Sequence, residues 1–132
     1  MAITILLVDD NPTFVTAVRQ FLEMVPGAQV VGQAHSGREA LALTERLRPD
    51  LAVLDVAMPD MSGLEVARIM NASSYAPRIV FLSMHDAAAY RDTASDLGAF
   101  AYVGKANFVV ELLPMLENLI ADQAPTGPSR GE

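Results

Sequence analysis

Polar residues suited to metal and phosphate chemistry stand at the ends of short apolar runs in this sequence. Asp9 and Asp10 follow the run ILLV, Asp55 follows LAVL, Ser83 follows IVFL, and Lys105 comes shortly after AYV. Neighbouring carboxylates repel each other by about 1–4 kcal/mol at about 4 Å in effective dielectrics of 80 to 20. Three clustered carboxylates therefore stay ionised together only beside a hard divalent cation, and an all-oxygen ligand set favours Mg²⁺.

Such a set of residues is suited to phosphoryl groups. A cation held by the carboxylates can neutralise phosphoryl oxygens, while the Lys105 ammonium and the Ser83 hydroxyl contact the remaining oxygens. An aspartate placed there can act as a nucleophile and form an aspartyl-phosphate. The residue types therefore predict a Mg²⁺-dependent site that accepts a phosphoryl group.

The elements that must position these residues are short strands alternating with helices. The predicted strands are residues 3–8, 29–34, 51–54, 78–82 and 100–103, and the third helix is predicted at residues 63–70. The other predicted helix starts carry capping residues or a first-turn proline, namely Asn11-Pro12, Ser36-Gly37, Asp86 and Asn107. This alternation predicts an α/β fold with a parallel sheet covered by helices on both faces.

The polar residues also predict the strand order. Ligands of an open parallel sheet bind at the carboxyl ends of the strands, where the order reverses. The order 2-1-3-4-5 brings the ends of strands one, three, four and five to one crevice and leaves strand two at an edge. Strand two ends in His35-Ser36, without a carboxylate, as this order requires. We therefore expect a doubly wound, five-stranded parallel sheet with five helices.

Length and composition limit the classes of protein that fit. The chain has 132 residues, a net charge of −7 and no cysteine. One domain at residues 1–121 is expected, followed by a disordered tail or linker at 122–132 that is rich in Pro, Gly and Ser. The acidic charge argues against binding of nucleic acid or membrane by this domain itself, and the absence of a long apolar segment predicts a cytoplasmic protein.

Four segments of the sequence together resemble a known family. LLVDDN, LAVLDVAMPDMSGLE, IVFLSMHD and AYVGKA follow one another in the order and spacing typical of the receiver domain of two-component response regulators. The resemblance covers roughly residues 3–120 and implies a flavodoxin-like receiver fold. It also implies that the domain catalyses only its own phosphorylation and dephosphorylation.

The resemblance assigns roles to the acidic residues. It implies that Asp55 is the phosphoacceptor and a metal ligand, that Asp10 binds Mg²⁺ directly, and that Asp9 helps to position the metal or its waters. It further implies that the backbone carbonyl of Ala57 is a metal ligand.

The remaining implied roles concern switching and partners. Ser83 and Lys105 match the phosphoryl-binding hydroxyl and ammonium, and Tyr102 matches the aromatic switch residue. The implied phosphodonor is a histidine kinase or phosphotransfer protein. Phosphorylation is expected to alter the surface of helix four, strand five and helix five, with homodimerisation as one outcome and transcription as the expected output. SMHD and the residues around Lys105 are similar to the subgroup that carries a helix-turn-helix output domain.

Two residues next to Lys105 depart from the family pattern. Ala106 follows the lysine where most members have proline, and Gly104 precedes it.

Three other functions compete with that of a phosphorylated receiver domain. A pseudo-receiver that binds partners without phosphorylation is the main alternative. A hydrolase of the aspartyl-phosphate type would need a second acid at Ala57, and a nucleotide-binding domain would need a glycine-rich loop after strand one.

Overall fold

Strands and helices alternate along the chain. A computed structural model describes residues 2–84 and 88–123. The strands are β1 (Ile3–Val8), β2 (Ala28–Ala34), β3 (Leu51–Asp55), β4 (Arg78–Ser83) and β5 (Ala101–Gly104). The helices are α1 (Pro12–Glu23), α2 (Gly37–Leu47), α3 (Gly63–Ala72), α4 (Ala88–Asp96) and α5 (Phe108–Gln123), and a short 3₁₀ turn (Lys105–Asn107) precedes α5.

The five strands form one sheet in the order β2-β1-β3-β4-β5, and every neighbouring pair is parallel. The predicted fold class and strand order are therefore confirmed. In the described part of the chain no helix is long and apolar enough to cross a membrane.

Two apolar cores cover the two faces of the sheet. Ile5 and Leu7 of β1 pack into a core with residues of α1 and α5, whereas Leu6 and Val8 pack into a core with residues of α2, α3 and α4. Since successive side chains of a strand point to opposite faces, the continuous apolar runs of the sequence supply both cores at once.

Side-chain caps define the helix starts nearest the carboxyl ends of the strands. Asn11 accepts hydrogen bonds from the backbone N–H groups of Thr13 and Phe14, at 3.0 and 3.1 Å, and so caps α1. Ser36 and Ser62 cap α2 and α3 in the same way through the N–H groups three residues later. These caps satisfy backbone donors that a helix leaves without an intrahelical partner.

The strand boundaries differ slightly from the predicted ones. Asp55 and Ser83 are the last residues of β3 and β4, so the ladder hydrogen bonds hold their backbones directly. Phe100 was predicted to begin the fifth strand, but β5 begins at Ala101. The N–H of Phe100 still donates to the carbonyl of Ile79, at 2.7 Å.

The last helix also differs from the prediction. Asn107 was predicted to cap the last helix and instead ends the 3₁₀ turn that leads into α5. Asp122 and Gln123 belong to α5 rather than to the tail. The predicted cap at Asp86 and the rest of the tail, residues 124–132, lie outside the described residues.

Candidate functional site

A cleft of about 320 Å³ lies at the carboxyl ends of β1, β3, β4 and β5. The residues that line it come from four loops or strand ends and are Asp10, Asn11, Asp55, Val56, Ala57, Ser83, Met84 and Lys105. The strand order therefore brings together Asp10, Asp55, Ala57, Ser83 and Lys105 of the predicted site residues, whereas Asp9 and Tyr102 do not line the cleft.

The three aspartates form a compact acidic group. Asp9 and Asp55 are buried and Asp10 is exposed, and one carboxylate oxygen from each lies within 4.8 Å of the others. Hard oxygen donors at this spacing, two of them shielded from water, are suited to a small divalent cation. The acidic group could hold a metal ion.

Lys105 supplies the positive charge of the cleft. Its Nζ lies 2.7 Å from Oδ2 of Asp9 and 3.3 Å from Oδ2 of Asp55. The contact with Asp9 is an ion pair whose angles are not those of a hydrogen bond. Oδ1 of Asp9 accepts the backbone N–H of Asn11 at 2.9 Å. Asp9 is thus fixed on one side by the start of α1 and on the other by the lysine.

The environment of Asp55 favours its neutral form. Burial of the carboxyl group, followed by repulsion from Asp9, raises the pKa of Asp55 to about 6 from its ordinary value of 3.8. The charge of Lys105 and the N–H of Ala57, which donates to Oδ1 at 3.3 Å, act in the opposite direction without cancelling the rise. A cation bound in the cleft would relieve the same repulsion.

The loop after Asp55 is tied to α2 by a carboxylate that the sequence analysis did not single out. Oδ1 and Oδ2 of Asp60 accept the N–H groups of Gly37 and Arg38, at 3.0 and 3.1 Å, at the first turn of α2. These hydrogen bonds lower the pKa of Asp60. A local capping pattern could not have identified this contact because the donors lie on a different segment of the chain.

Two aromatic residues have different relations to the cleft. Tyr102 is half-buried on β5 and packs with the core on the α2–α3–α4 face, where its ring centroid lies 6.5 Å from that of Phe81. Phe14, which the sequence analysis did not assign to the site, lies beside the lysine, with its ring centroid 4.6 Å from Nζ of Lys105. Its position in the first turn of α1, directly after the acidic pair and the Asn11 cap, was the available sequence signal.

Comparison with known proteins shows the family to which the chain belongs. The response regulator receiver domain family matches residues 5–117. The chain is 38% identical over 120 residues to the nitrate/nitrite response regulator protein NarL of Escherichia coli (strain K12), a match covering 91% of this chain and 56% of NarL. It is 32% identical over 126 residues to the response regulator GacA of Pseudomonas syringae pv. syringae, covering 96% of this chain and 59% of GacA.

Solved structures give the same result. A LuxR-family two-component response regulator from Aurantimonas superimposes with a TM-score of 0.85 at 33% identity, over 92% of this chain and 87% of that chain. The receiver domain of the putative response regulator NarL from Mycobacterium tuberculosis has a TM-score of 0.83 at 29% identity. The match covers 91% of this chain and 97% of that chain.

The chain belongs to the response regulator receiver domain family of two-component systems. It spans less than two thirds of the length of the curated response regulators named above.

Proposed function

We propose that this receiver domain accepts a phosphoryl group on Asp55 from a histidine kinase or phosphotransfer protein in a Mg²⁺-dependent reaction. The observation that carries the proposal is that carboxylate oxygens of Asp9, Asp10 and Asp55 lie within 4.8 Å of one another, beside the ammonium of Lys105. A carboxylate nucleophile, an acidic metal-binding group and a cationic side chain in one crevice are the parts that phosphoryl transfer requires.

The chain's own residues have distinct roles in the proposed transfer. A carboxylate oxygen of Asp55 attacks the phosphorus, and the bond from phosphorus to the donor nitrogen breaks with its electron pair going to the leaving imidazole. The Lys105 ammonium, already 3.3 Å from Asp55, and the Ser83 hydroxyl contact the phosphoryl oxygens. Attack requires ionised Asp55, so its raised pKa makes the reaction slower in acid.

Asp9, Asp10, Asp55 and the backbone carbonyl of Ala57 are the groups that would hold Mg²⁺. The fit rests on the donor set, which consists of hard oxygens with two buried carboxylates. When bound, the ion supplies positive charge that neutralises the phosphoryl oxygens. The same charge would lower the pKa of Asp55 and so keep the carboxylate ionised in mildly acidic solution as well.

The proposed output is a change in the surface formed by α4, β5 and α5, in which Ser83 and Tyr102 act as the switch. A partner that binds this surface in only one state, either a second copy of the chain or another protein, then shifts the equilibrium by its differential affinity. Because the relatives include LuxR-family response regulators, the output we propose is control of transcription. Neither nucleic acid nor membrane is proposed to bind this domain itself, and no catalysis on other substrates is proposed.

The test is phosphorylation by acetyl phosphate with Mg²⁺, followed by mass spectrometry of the intact protein and its peptides. Asp55 should carry the added phosphoryl mass, and EDTA should abolish labelling. Asp55→Asn should remain unlabelled, whereas Asp96→Asn, a change at an exposed acid of α4, should be labelled like the wild type. Labelling of Asp9 or Asp10 in the wild type would contradict the assignment. A wild-type protein that binds its partners without labelling would be a pseudo-receiver.

A further inference from the structure

The ammonium of Lys105 is enclosed on two sides by groups of different chemistry. Oδ2 of Asp9 and Oδ2 of Asp55 lie 2.7 and 3.3 Å from Nζ, and Nζ stands over the ring of Phe14, 4.6 Å from its centroid. Lys105 is the only lysine in the sequence and its side chain is almost fully buried. An aromatic face attracts a cation, and the attraction grows when water is excluded.

Phe14 is itself held in place from both ends. Its backbone N–H is capped by Asn11, whose own N–H donates to Oδ1 of Asp9. Its ring meets the ring of Phe108 edge to face, with centroids 5.3 Å apart. Asp9 also pairs with Lys105. Asp9 therefore contacts both the lysine and the start of α1, the segment that carries Phe14.

No proline fixes the backbone next to Lys105. Gly104 precedes the lysine and Ala106 follows it, and neither residue restricts the backbone as proline would. The N–H of Gly104 donates to Oε1 of Glu111 at 3.3 Å, a long hydrogen bond at an exposed position. The 3₁₀ turn fixes the backbone of Lys105, and the groups around Nζ contact the far end of its long side chain.

We propose that Phe14 is a positioning residue for Lys105, and that its ring holds the ammonium against the two carboxylates. The negative face of the ring attracts the cation, and the bulk of the ring closes the side of the lysine that faces α1. A leucine at this position would retain apolar volume but lose the π face, which would give the ammonium more orientations. The consequence for phosphorylation rate rests on the proposed function, whereas the contact itself does not.

The rate experiment compares three variants with the wild type in acetyl phosphate and Mg²⁺. Phe14→Leu should slow phosphorylation of Asp55 roughly two- to thirty-fold, which corresponds to the usual range of a cation–π contact. Phe14→Tyr keeps the π face and should retain most of the wild-type phosphorylation rate. Phe21→Leu is the matched control because Phe21 belongs to the same aromatic cluster, 5.8 Å from Phe108, and should react like the wild type.

A second measurement tests the contact without metal or phosphodonor. Protein labelled with ¹³C at the lysine ε-carbon gives one side-chain signal, because the chain has one lysine. In the wild type the ε-protons should be shifted upfield by the ring of Phe14. The shift should disappear in Phe14→Leu and persist in Phe21→Leu and Phe14→Tyr.

The outcomes separate this proposal from the proposed function. Wild-type rates in Phe14→Leu, equal losses in Phe14→Leu and Phe21→Leu, or an unshifted lysine signal in the wild type would each overturn the positioning role. If the wild type is not phosphorylated on Asp55, the proposed function fails. The resonance of Lys105 then still decides whether Phe14 holds the ammonium.

Discussion

Gly63 lies directly against the main-chain carbonyl of Asp55. A Cβ atom built on Gly63 would overlap the carbonyl oxygen and the carbonyl carbon of Asp55, both of which are backbone atoms that cannot rotate away. The N–H of Gly63 also donates to the carbonyl of Val56 at 2.8 Å. The first residue of α3 is thus fitted to the end of the strand that carries Asp55, the proposed phosphoacceptor.

Gly63→Ala should therefore destabilise the domain and displace Asp55. We expect a loss of about 2 kcal/mol or more in the free energy of unfolding, because backbone must move to admit the methyl group. Denaturant unfolding measures the loss. Gly104→Ala is the matched control, since no atom lies within 4 Å of its added Cβ and little change is expected. Equal stability of the two variants would contradict the close approach of Gly63 to Asp55.

Asp55→Asn should stabilise the metal-free protein at neutral pH. The folded-state pKa of Asp55 is raised to about 6, so folding disfavours its ionised form above that pH. This destabilisation decreases as the pH falls from 6 toward the ordinary pKa of 3.8, because the carboxyl group becomes protonated in the folded protein. At pH 7.5 in EDTA the free energy of unfolding of the variant should exceed that of the wild type by roughly 1–3 kcal/mol. The difference should narrow at pH 4.5, and urea unfolding at the two pH values measures it. A difference that does not change with pH would show that ionised Asp55 is not disfavoured by folding.

Mg²⁺ should stabilise the wild-type domain and stabilise Asp10→Asn less. Binding to the folded state alone adds about 1.4 kcal/mol at ten times the Kd, which raises the melting temperature by a few degrees. In EDTA the variant should be at least as stable as the wild type, since it lacks one of three mutually repelling charges. Thermal melts with and without Mg²⁺ give both comparisons, and equal Mg²⁺-induced shifts would exclude Asp10 as a ligand.

Tyr102→Ala should uncouple phosphorylation from self-association. If activation draws Ser83 toward the phosphoryl group, space opens behind β4 for the Tyr102 ring, which now lies half-buried beside Phe81. The wild type should change its sedimentation on addition of beryllofluoride and Mg²⁺, and the variant should change less. Labelling of Asp55 by acetyl phosphate serves as the control and should persist in the variant. A variant that dimerises on activation like the wild type would show that Tyr102 is not the switch.

The sequence alone was sufficient to predict the sheet and which polar residues meet at the carboxyl ends of its strands. Apolar runs with a polar residue at the end are local signals, and Asn11 and Pro12 mark the start of α1 as predicted. Strands that alternate with helices allow few topologies, and in the order β2-β1-β3-β4-β5 the polar strand ends meet. Asp9, Asp10, Asp55, Ser83 and Lys105 could therefore be grouped before any coordinates were known.

Only the tertiary structure decided how these residues contact one another. The closer approach of Lys105 to Asp9 than to Asp55 depends on the packing of α5 against β1 and β5. The ring of Phe14 over the lysine depends on the same packing, and so does the raised pKa of Asp55, which follows from burial. Residue types and spacing determine which groups reach the same end of a sheet. Distances between their atoms and the burial of their side chains depend on how the covering helices pack against the sheet.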